Sequence, residues 1–153
     1  MPDRQQQRND SPDLSFLDKG YYENGALRPD LLDTHAESLG KSFAQKGNKV
    51  NSTQMRRFYG DVKELETRIE REAGADIFES ADASKLARYL ALIRMLKSKA
   101  AYAAGRKTVS RAFESFIVKC VDQIKTPKDF RAFVLFFEAV VGYYYGAGGE
   151  ENR

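Results

Sequence analysis

The stretch that decides the fold is TPKDFRAFVLFFEAVVGYYYG, residues 126–146. Thr126 is a favourable N-cap, Pro127 suits the first helical position, and the acid Asp129 lies three residues after the cap. The apolar residues that follow would surround a helix almost completely, which is typical of a helix in the centre of a core or in a subunit interface. The segment therefore predicts a long helix that is either central to the core or part of a subunit interface.

Four further helices are predicted upstream, because apolar residues recur there at spacings of three and four. Capping residues, prolines and glycines mark their ends. No segment alternates apolar and polar residues as a half-buried strand does. The sequence therefore predicts an all-α fold, a compact bundle of about five helices. The four upstream helices are predicted at about residues 30–46, 51–74, 83–104 and 109–125.

A chain of 153 residues fits one domain. Residues 1–28 are rich in polar residues and contain an Asn-Gly turn signal, so we expect a flexible or irregular N-terminal segment. Residues 29–146 form the predicted helical bundle domain. The glycine-rich residues 147–153 are predicted to be a frayed tail.

Composition points to a cytoplasmic protein with no membrane contact. Hydrophobic residues make up 42% and charged residues 31%, without the apolar run of about 18 residues that a membrane span needs. The N-terminus lacks the apolar stretch of a secretion signal. The single cysteine, Cys120, lies in the apolar run FIVKCV, so we expect a buried, unreactive thiol in a reducing compartment.

The sequence lacks the motifs of catalysis. Its one histidine, His35, has no second histidine or cysteine pair at metal-ligand spacing, and we expect it to lie exposed on the surface. No phosphate-binding loop and no paired-aspartate motif occurs. We therefore expect a protein that is not an enzyme and that uses no cofactor and no metal.

Positive charge is concentrated in one part of the chain. The net charge is only +3, but from Ala83 to Phe113 there is no acidic residue. Such a one-signed helix is suited to a phosphate backbone. The eight basic residues of this stretch are Lys85, Arg88, Arg94, Lys97, Lys99, Arg106, Lys107 and Arg111.

Helical spacing places the basic residues of the third helix on a broad outward face. Arg88, Lys99 and Arg106 share a stripe with Tyr102, which could stack on a base, while Arg94 and Lys97 flank that stripe. Two alternatives stay open from the residues alone. Acidic residues from elsewhere could neutralise the face, or the chain could be a helical protein-interaction or dimerisation module whose basic face docks on an acidic protein partner.

A second polar and basic set opens the second helix. It consists of Lys49, Gln54, Arg56, Arg57 and Lys63. The positive end of the helix dipole would reinforce their attraction for phosphate. Acidic residues follow closely at Asp61 and Glu64, so this signal is weaker than that of the third helix.

Three segments together resemble a known family. They are STQMRRFYGDVKELE at 52–66, LIRMLKSKAAYAAGRK at 92–107 and FRAFVLFFEAVVGYYYG at 130–146. In this combination the chain resembles, from about Val50 to Tyr145, the small subunit of the type III-A CRISPR effector (Csm) complex. No single segment is specific by itself.

The resemblance implies a helical subunit without catalysis that stacks in several copies along the guide RNA and target RNA. Its expected partners are the guide RNA, the target RNA, the backbone and large subunits of the complex, and further copies of itself. It would hold the target strand by phosphate and sugar contacts, while base pairing supplies specificity. By position, the resemblance selects Gln54, Arg56, Arg57, Lys97, Lys99, Tyr102, Arg106 and Lys107 as RNA contacts.

Overall fold

The computed structural model describes residues 11–149, which fold into five α-helices with one short β-hairpin on the N-terminal side. The predicted all-α bundle is confirmed. In these residues no helix is long and apolar enough to cross a bilayer. The helices are α1 (Ala36–Phe43), α2 (Ser52–Ala73), α3 (Ala87–Gly105), α4 (Arg111–Asp122) and α5 (Pro127–Gly146).

Helix α5 lies at the centre of the core, which is one of the two positions that its sequence predicts. Thr126 and Asp129 form the predicted capping box, in which each side chain accepts a hydrogen bond from the backbone N–H of the other at 3.1 Å. Phe136 and Phe137 are fully buried and pack on Phe116 of α4, with ring centroids 5.6 and 6.0 Å apart. Each buried aromatic side chain contributes about 2 kcal/mol of hydrophobic stabilisation, so α5 organises the other helices around itself.

Helices α1 and α5 cross in close contact at Gly40. A Cβ at this position would lie 2.6 Å from the Cβ of Tyr143 and 2.8 Å from the carbonyl oxygen of Val140. Such distances exclude any side chain without a shift of α5. Next along α5, Tyr144 is fully buried and its hydroxyl donates to the carbonyl oxygen of Val50. This ring belongs to the core, which the sequence left undecided.

The N-terminal lead-in differs from the prediction of an irregular segment without strands. Strands β1 (Tyr22–Glu23) and β2 (Ala26–Leu27) pair antiparallel across the predicted Asn24-Gly25 turn. Both turn residues have positive φ, 54° and 80°, the geometry of a two-residue hairpin. Tyr21 is buried, and its hydroxyl donates to the carbonyl oxygen of Cys120 at 2.6 Å. The bundle therefore includes chain that we had placed outside it.

Helix ends depart from the predicted bounds by a few residues. The first helix begins with a π-helical segment, Leu31–His35, and α1 ends at Phe43 rather than near 46. A 3-10 turn at Ala83–Lys85 precedes α3, so that helix starts later than predicted. Of the predicted C-terminal tail, residues 150–153 lie outside the described residues, and Gly149 packs against the ring of Tyr144.

Candidate nucleic-acid interface

Helices α2 and α3 diverge around a surface cleft of about 690 Å³. Residues of α2 at positions 54, 57, 58 and 61 share one helical face by their spacing, and so do α3 residues 98, 99, 102, 103 and 106. The two faces meet across the cleft. Its lining, which we call the basic cleft, comprises Gln54, Arg57, Phe58, Asp61, Ser98, Lys99, Tyr102, Ala103, Arg106 and Thr108.

Backbone hydrogen bonds hold the start of α2 against the end of α3. The Asn51 side chain caps α2 by accepting from the N–H groups of Thr53 and Gln54, and the Asn51 N–H donates to the carbonyl oxygen of Thr108 at 2.9 Å. The Thr108 N–H in turn donates to the carbonyl oxygen of Ala103 at 3.0 Å. These bonds fix Gln54 and Arg57 opposite the last turn of α3.

The turn that ends α3 has an unusual residue in its left-handed position. The N–H groups of Lys107 and Thr108 donate to the carbonyl oxygens of Ala104 and Ala103, which is a Schellman motif. Its left-handed residue is Lys107, with φ 63°, where glycine is usual. The helix does end at Gly105 as predicted, but that glycine is the last helical residue.

The base of the basic cleft is apolar and its rim is polar and cationic. Phe58 and Ala103 are buried. Tyr102 is 69% exposed, so its ring is available to a ligand. The guanidinium of Arg106 lies 5.9 Å from the centroid of that ring. An exposed aromatic ring beside cations is an arrangement that can stack a base and bind its phosphate.

Three cations of the predicted basic face meet carboxylates from other helices. Lys99 Nζ lies 3.3 Å from Asp61 Oδ2, and Arg88 lies 3.7 Å from Glu72. Lys97 forms an ion pair with Asp122 of α4. The sequence contains no acid between these cations, but the fold brings acids to them. The expected continuous positive face is therefore interrupted over this part of α3.

The structure gathers five of the eleven predicted RNA-contact residues in the basic cleft and leaves six outside its lining. Gln54, Arg57, Lys99, Tyr102 and Arg106 come together there, from two segments that are far apart in sequence. The remaining six are Lys49, Arg56, Arg88, Arg94, Lys97 and Lys107, all exposed except the half-buried Lys97.

Sequence reasoning missed several cleft residues that carry no charge or the opposite charge. They are Phe58, Asp61, Ser98, Ala103 and Thr108. A signal for Asp61 was present, since it lies four residues after Arg57 and therefore on the same helical face. For Thr108 no local signal exists, because only the backbone contact with Asn51 places it there.

The single histidine lies in a structural cluster rather than exposed on the surface as expected. The ring of His35 stacks on Phe16, with centroids 3.8 Å apart, and its Nε2 lies 3.1 Å from Asp30 Oδ2. Buried Arg28 donates to the carbonyl oxygens of Phe16 and Gly20 and to Asp30. These contacts tie the N-terminal lead-in to the first helix.

In the described part of the chain the cysteine is buried and no side chains are grouped as metal ligands. Burial raises the pKa of the Cys120 thiol well above its ordinary value, which keeps the thiol protonated and matches the predicted inert cysteine. Within residues 11–149, no three His, Cys, Asp or Glu side chains are grouped to hold a metal ion.

The fold and the cleft define a small all-helical protein with a cation-lined groove between two helices. A family model described as Csm2 Type III-A matches residues 26–150, so the chain belongs to this family of type III-A CRISPR complex subunits. Membership implies association with the other subunits of the Csm complex. No curated protein and no solved structure matches the chain.

Proposed function

We propose that this subunit binds RNA without catalysing a reaction, lying in several copies along the guide RNA and target RNA. In this proposal the basic cleft holds the target strand by its phosphates and sugars. The observation that supports it most is the convergence of two basic sets, predicted independently from the second and third helices, on one cleft. Charged residues that serve only to solvate the surface would not be expected to lie opposite each other in one cleft.

The charge balance of the cleft favours a polyanion. Arg57, Lys99 and Arg106 face a single carboxylate, Asp61, among the lining residues. Arg57 and Arg106 form no ion pair within residues 11–149, so their guanidinium groups can take phosphate oxygens in two-pronged contacts. A cleft with such an excess of positive charge attracts a phosphate backbone without reading its sequence.

The side chains that line the basic cleft support a role in binding without catalysis. The cleft lining contains neither histidine nor cysteine, and its carboxylate is shared with Lys99. Holding a strand in place requires only cations and a stacking ring, whereas hydrolysis requires a positioned base or metal. We propose that cleavage and nucleotide chemistry belong to other subunits of the complex.

Salt-dependent RNA binding tests this proposal. If about three phosphates are neutralised, the logarithm of the association constant for single-stranded RNA should fall against the logarithm of salt concentration with a slope of about −2. Arg106→Glu should reduce affinity and flatten the slope. Lys125→Glu makes the same charge change outside the cleft and is the control.

Two outcomes would contradict the proposal. One is equal RNA affinity of the Arg106→Glu and Lys125→Glu proteins. The other is no RNA binding at low salt by a correctly folded protein that forms oligomers in light scattering. That second result would favour the protein-interaction or dimerisation module, in which the basic face docks on an acidic partner. The ion pair of Lys97 with Asp122 is a contact of this kind within the chain.

A further inference from the structure

Three side chains of the basic cleft, Asp61, Ser98 and Thr108, have unused capacity to accept hydrogen bonds. The Ser98 hydroxyl donates its proton to the carbonyl oxygen of Met95 at 2.9 Å, and the Thr108 hydroxyl donates to that of Ala103 at 3.1 Å. Each hydroxyl oxygen is then left with acceptor capacity only. The Asp61 carboxylate likewise accepts and cannot donate. A ligand that brings hydrogen-bond donors as well as anionic groups can therefore engage these three acceptors together with the cations of the cleft.

A phosphodiester backbone supplies the anionic groups, but its sugar determines whether donors are present. Deoxyribose within a strand has no hydroxyl to donate, whereas each ribose carries a 2′-hydroxyl that can donate. Donor groups on the bases are the same in both polymers and do not distinguish them. Ser98 is exposed and Asp61 and Thr108 are half-buried, so with DNA in the cleft these acceptors would stay bonded to water, whereas RNA offers each of them a direct 2′-hydroxyl donor.

We infer that the basic cleft selects RNA over DNA, with Asp61, Ser98 and Thr108 accepting hydrogen bonds from ribose 2′-hydroxyl groups while Arg57 and Arg106 bind phosphate. This inference rests on the proposed RNA-binding function and adds the sugar specificity of the same site. The cleft volume of about 690 Å³ lies within the range of sites that enclose small molecules, roughly 300–1,000 Å³, so nucleotide-sized units fit.

Asp61 is the strongest of the three acceptors. Its side chain is 31% exposed, and Lys99 Nζ at 3.3 Å occupies Oδ2 while leaving Oδ1 without a hydrogen bond to residues 11–149. A hydrogen bond to an ionised acceptor contributes more than one between neutral groups. A carboxylate also repels phosphate, so its presence in a cationic cleft weakens backbone binding unless a donor engages it. A hydrogen bond from a ribose 2′-hydroxyl to Asp61 would account for an acid in this cationic cleft.

The test compares one base on three sugars, using the full-length chain at low salt. The probes are oligocytidylate as RNA, as DNA, and as 2′-fluoro RNA, which retains a small substituent without a donor. The wild-type protein should bind RNA roughly tenfold more tightly than either other probe, the effect of one hydrogen bond to a charged acceptor. Asp61→Asn should reduce the ratio of RNA affinity to the affinity for the other two probes, mainly because the affinity for DNA and 2′-fluoro RNA should increase.

Two further variants complete the design. Ser98→Ala removes a second acceptor at a position where alanine favours the helix, and it should also narrow the ratio. Glu70→Gln removes an exposed carboxylate of the same helix outside the cleft and should retain the wild-type ratio. RNA binding with equal affinity for 2′-fluoro RNA, or an unchanged ratio in Asp61→Asn, would overturn this inference alone. Failure to bind any of the three probes would overturn the proposed function with it.

Discussion

Helix α3 has two parts with similar composition and different surroundings. In what we call the paired half, residues 88–99, Arg88, Lys97 and Lys99 lie beside carboxylates of α2 or α4. At the open end, residues 102–107, Arg106 and Lys107 form no ion pair within residues 11–149. Both parts have the same charge sign in the sequence. Within residues 11–149, three of the four cations of the paired half meet a carboxylate and Arg94 meets none, whereas neither cation of the open end meets one.

The difference shows that exposed cations are not equivalent binding groups. An exposed ion pair contributes only about 0–1 kcal/mol to stability, but it cancels the local potential that attracts a polyanion. The paired half therefore joins α3 to its neighbours and adds little positive field. The open end, together with Arg57 across the basic cleft, supplies the field and the exposed Tyr102 ring.

The largest expected effect separates the two parts directly. Arg57→Ala/Arg106→Ala should lower RNA affinity tenfold or more at low salt and reduce the salt slope by about 1.4, because two phosphate contacts are lost. The matched variant, Arg88→Ala/Lys97→Ala, removes the same net charge from the paired half. It should change affinity only a few-fold. Fluorescence anisotropy across a salt series measures both, and equal losses would remove the distinction between the two parts.

The next effect concerns the ring at the open end. Tyr102→Leu should weaken binding of single-stranded RNA several-fold to tenfold, since stacking on an aromatic ring contributes about 1–3 kcal/mol per base. Tyr102→Phe keeps the ring and should retain the wild-type affinity within a few-fold. The thermal unfolding temperature should be unchanged in both, because the side chain is 69% exposed. Full affinity in the leucine variant would exclude stacking on this ring.

Local signals explain which features the sequence predicted. The capping box at Thr126 and the apolar run after it lie within one helix, so α5 and its central place followed from adjacent residues. The burial of Cys120 likewise followed from the apolar run in which it lies. The Asn24-Gly25 turn was recognised, but strands of two residues are too short to show an alternating pattern.

Long-range partners explain what the sequence did not predict. Asp61 and Asp122, which pair with Lys99 and Lys97, are 38 and 25 residues distant in the chain. Their approach depends on how three helices pack, which no local pattern encodes. For the same reason, the two basic sets could be predicted separately while their meeting in one cleft could not. The predicted RNA contacts, inside the cleft and outside it, all remain predictions.

A smaller effect concerns the turn that closes the open end. Lys107 has φ 63°, and a left-handed conformation costs a residue with a side chain about 1 kcal/mol relative to glycine. Lys107→Gly should therefore raise the unfolding temperature by about 2–4 °C. Arg106→Gly removes the same charge at a residue with φ −82° and should lower it. Differential scanning fluorimetry distinguishes the two, and equal shifts would show that backbone strain at Lys107 is negligible.

The smallest expected effect is a loss of folding stability at low pH, which arises where the paired half contacts Glu72 of α2. The hydroxyl of Tyr89 donates to Glu72 at 3.1 Å, and this bond, with Arg68 and Arg88 nearby, holds the pKa of Glu72 below its ordinary value of 4.5. A carboxylate with a lowered pKa stabilises the fold above its ordinary pKa, and that contribution is lost as the pH falls through the lowered value.

Glu72→Gln should therefore unfold at a slightly lower temperature than wild type near neutral pH, and the difference should close in acid. Tyr89→Phe, which removes the donor and keeps the ring, should reduce the same pH dependence. Arg106→Gln at the open end should leave that pH dependence intact, because no carboxylate pairs with Arg106 in the described residues and arginine stays charged throughout this range. If Glu72→Gln and wild type differ equally at neutral and acid pH, the stabilisation comes from packing at Glu72, and the contacts of the ionised carboxylate with Tyr89, Arg68 and Arg88 contribute nothing to it.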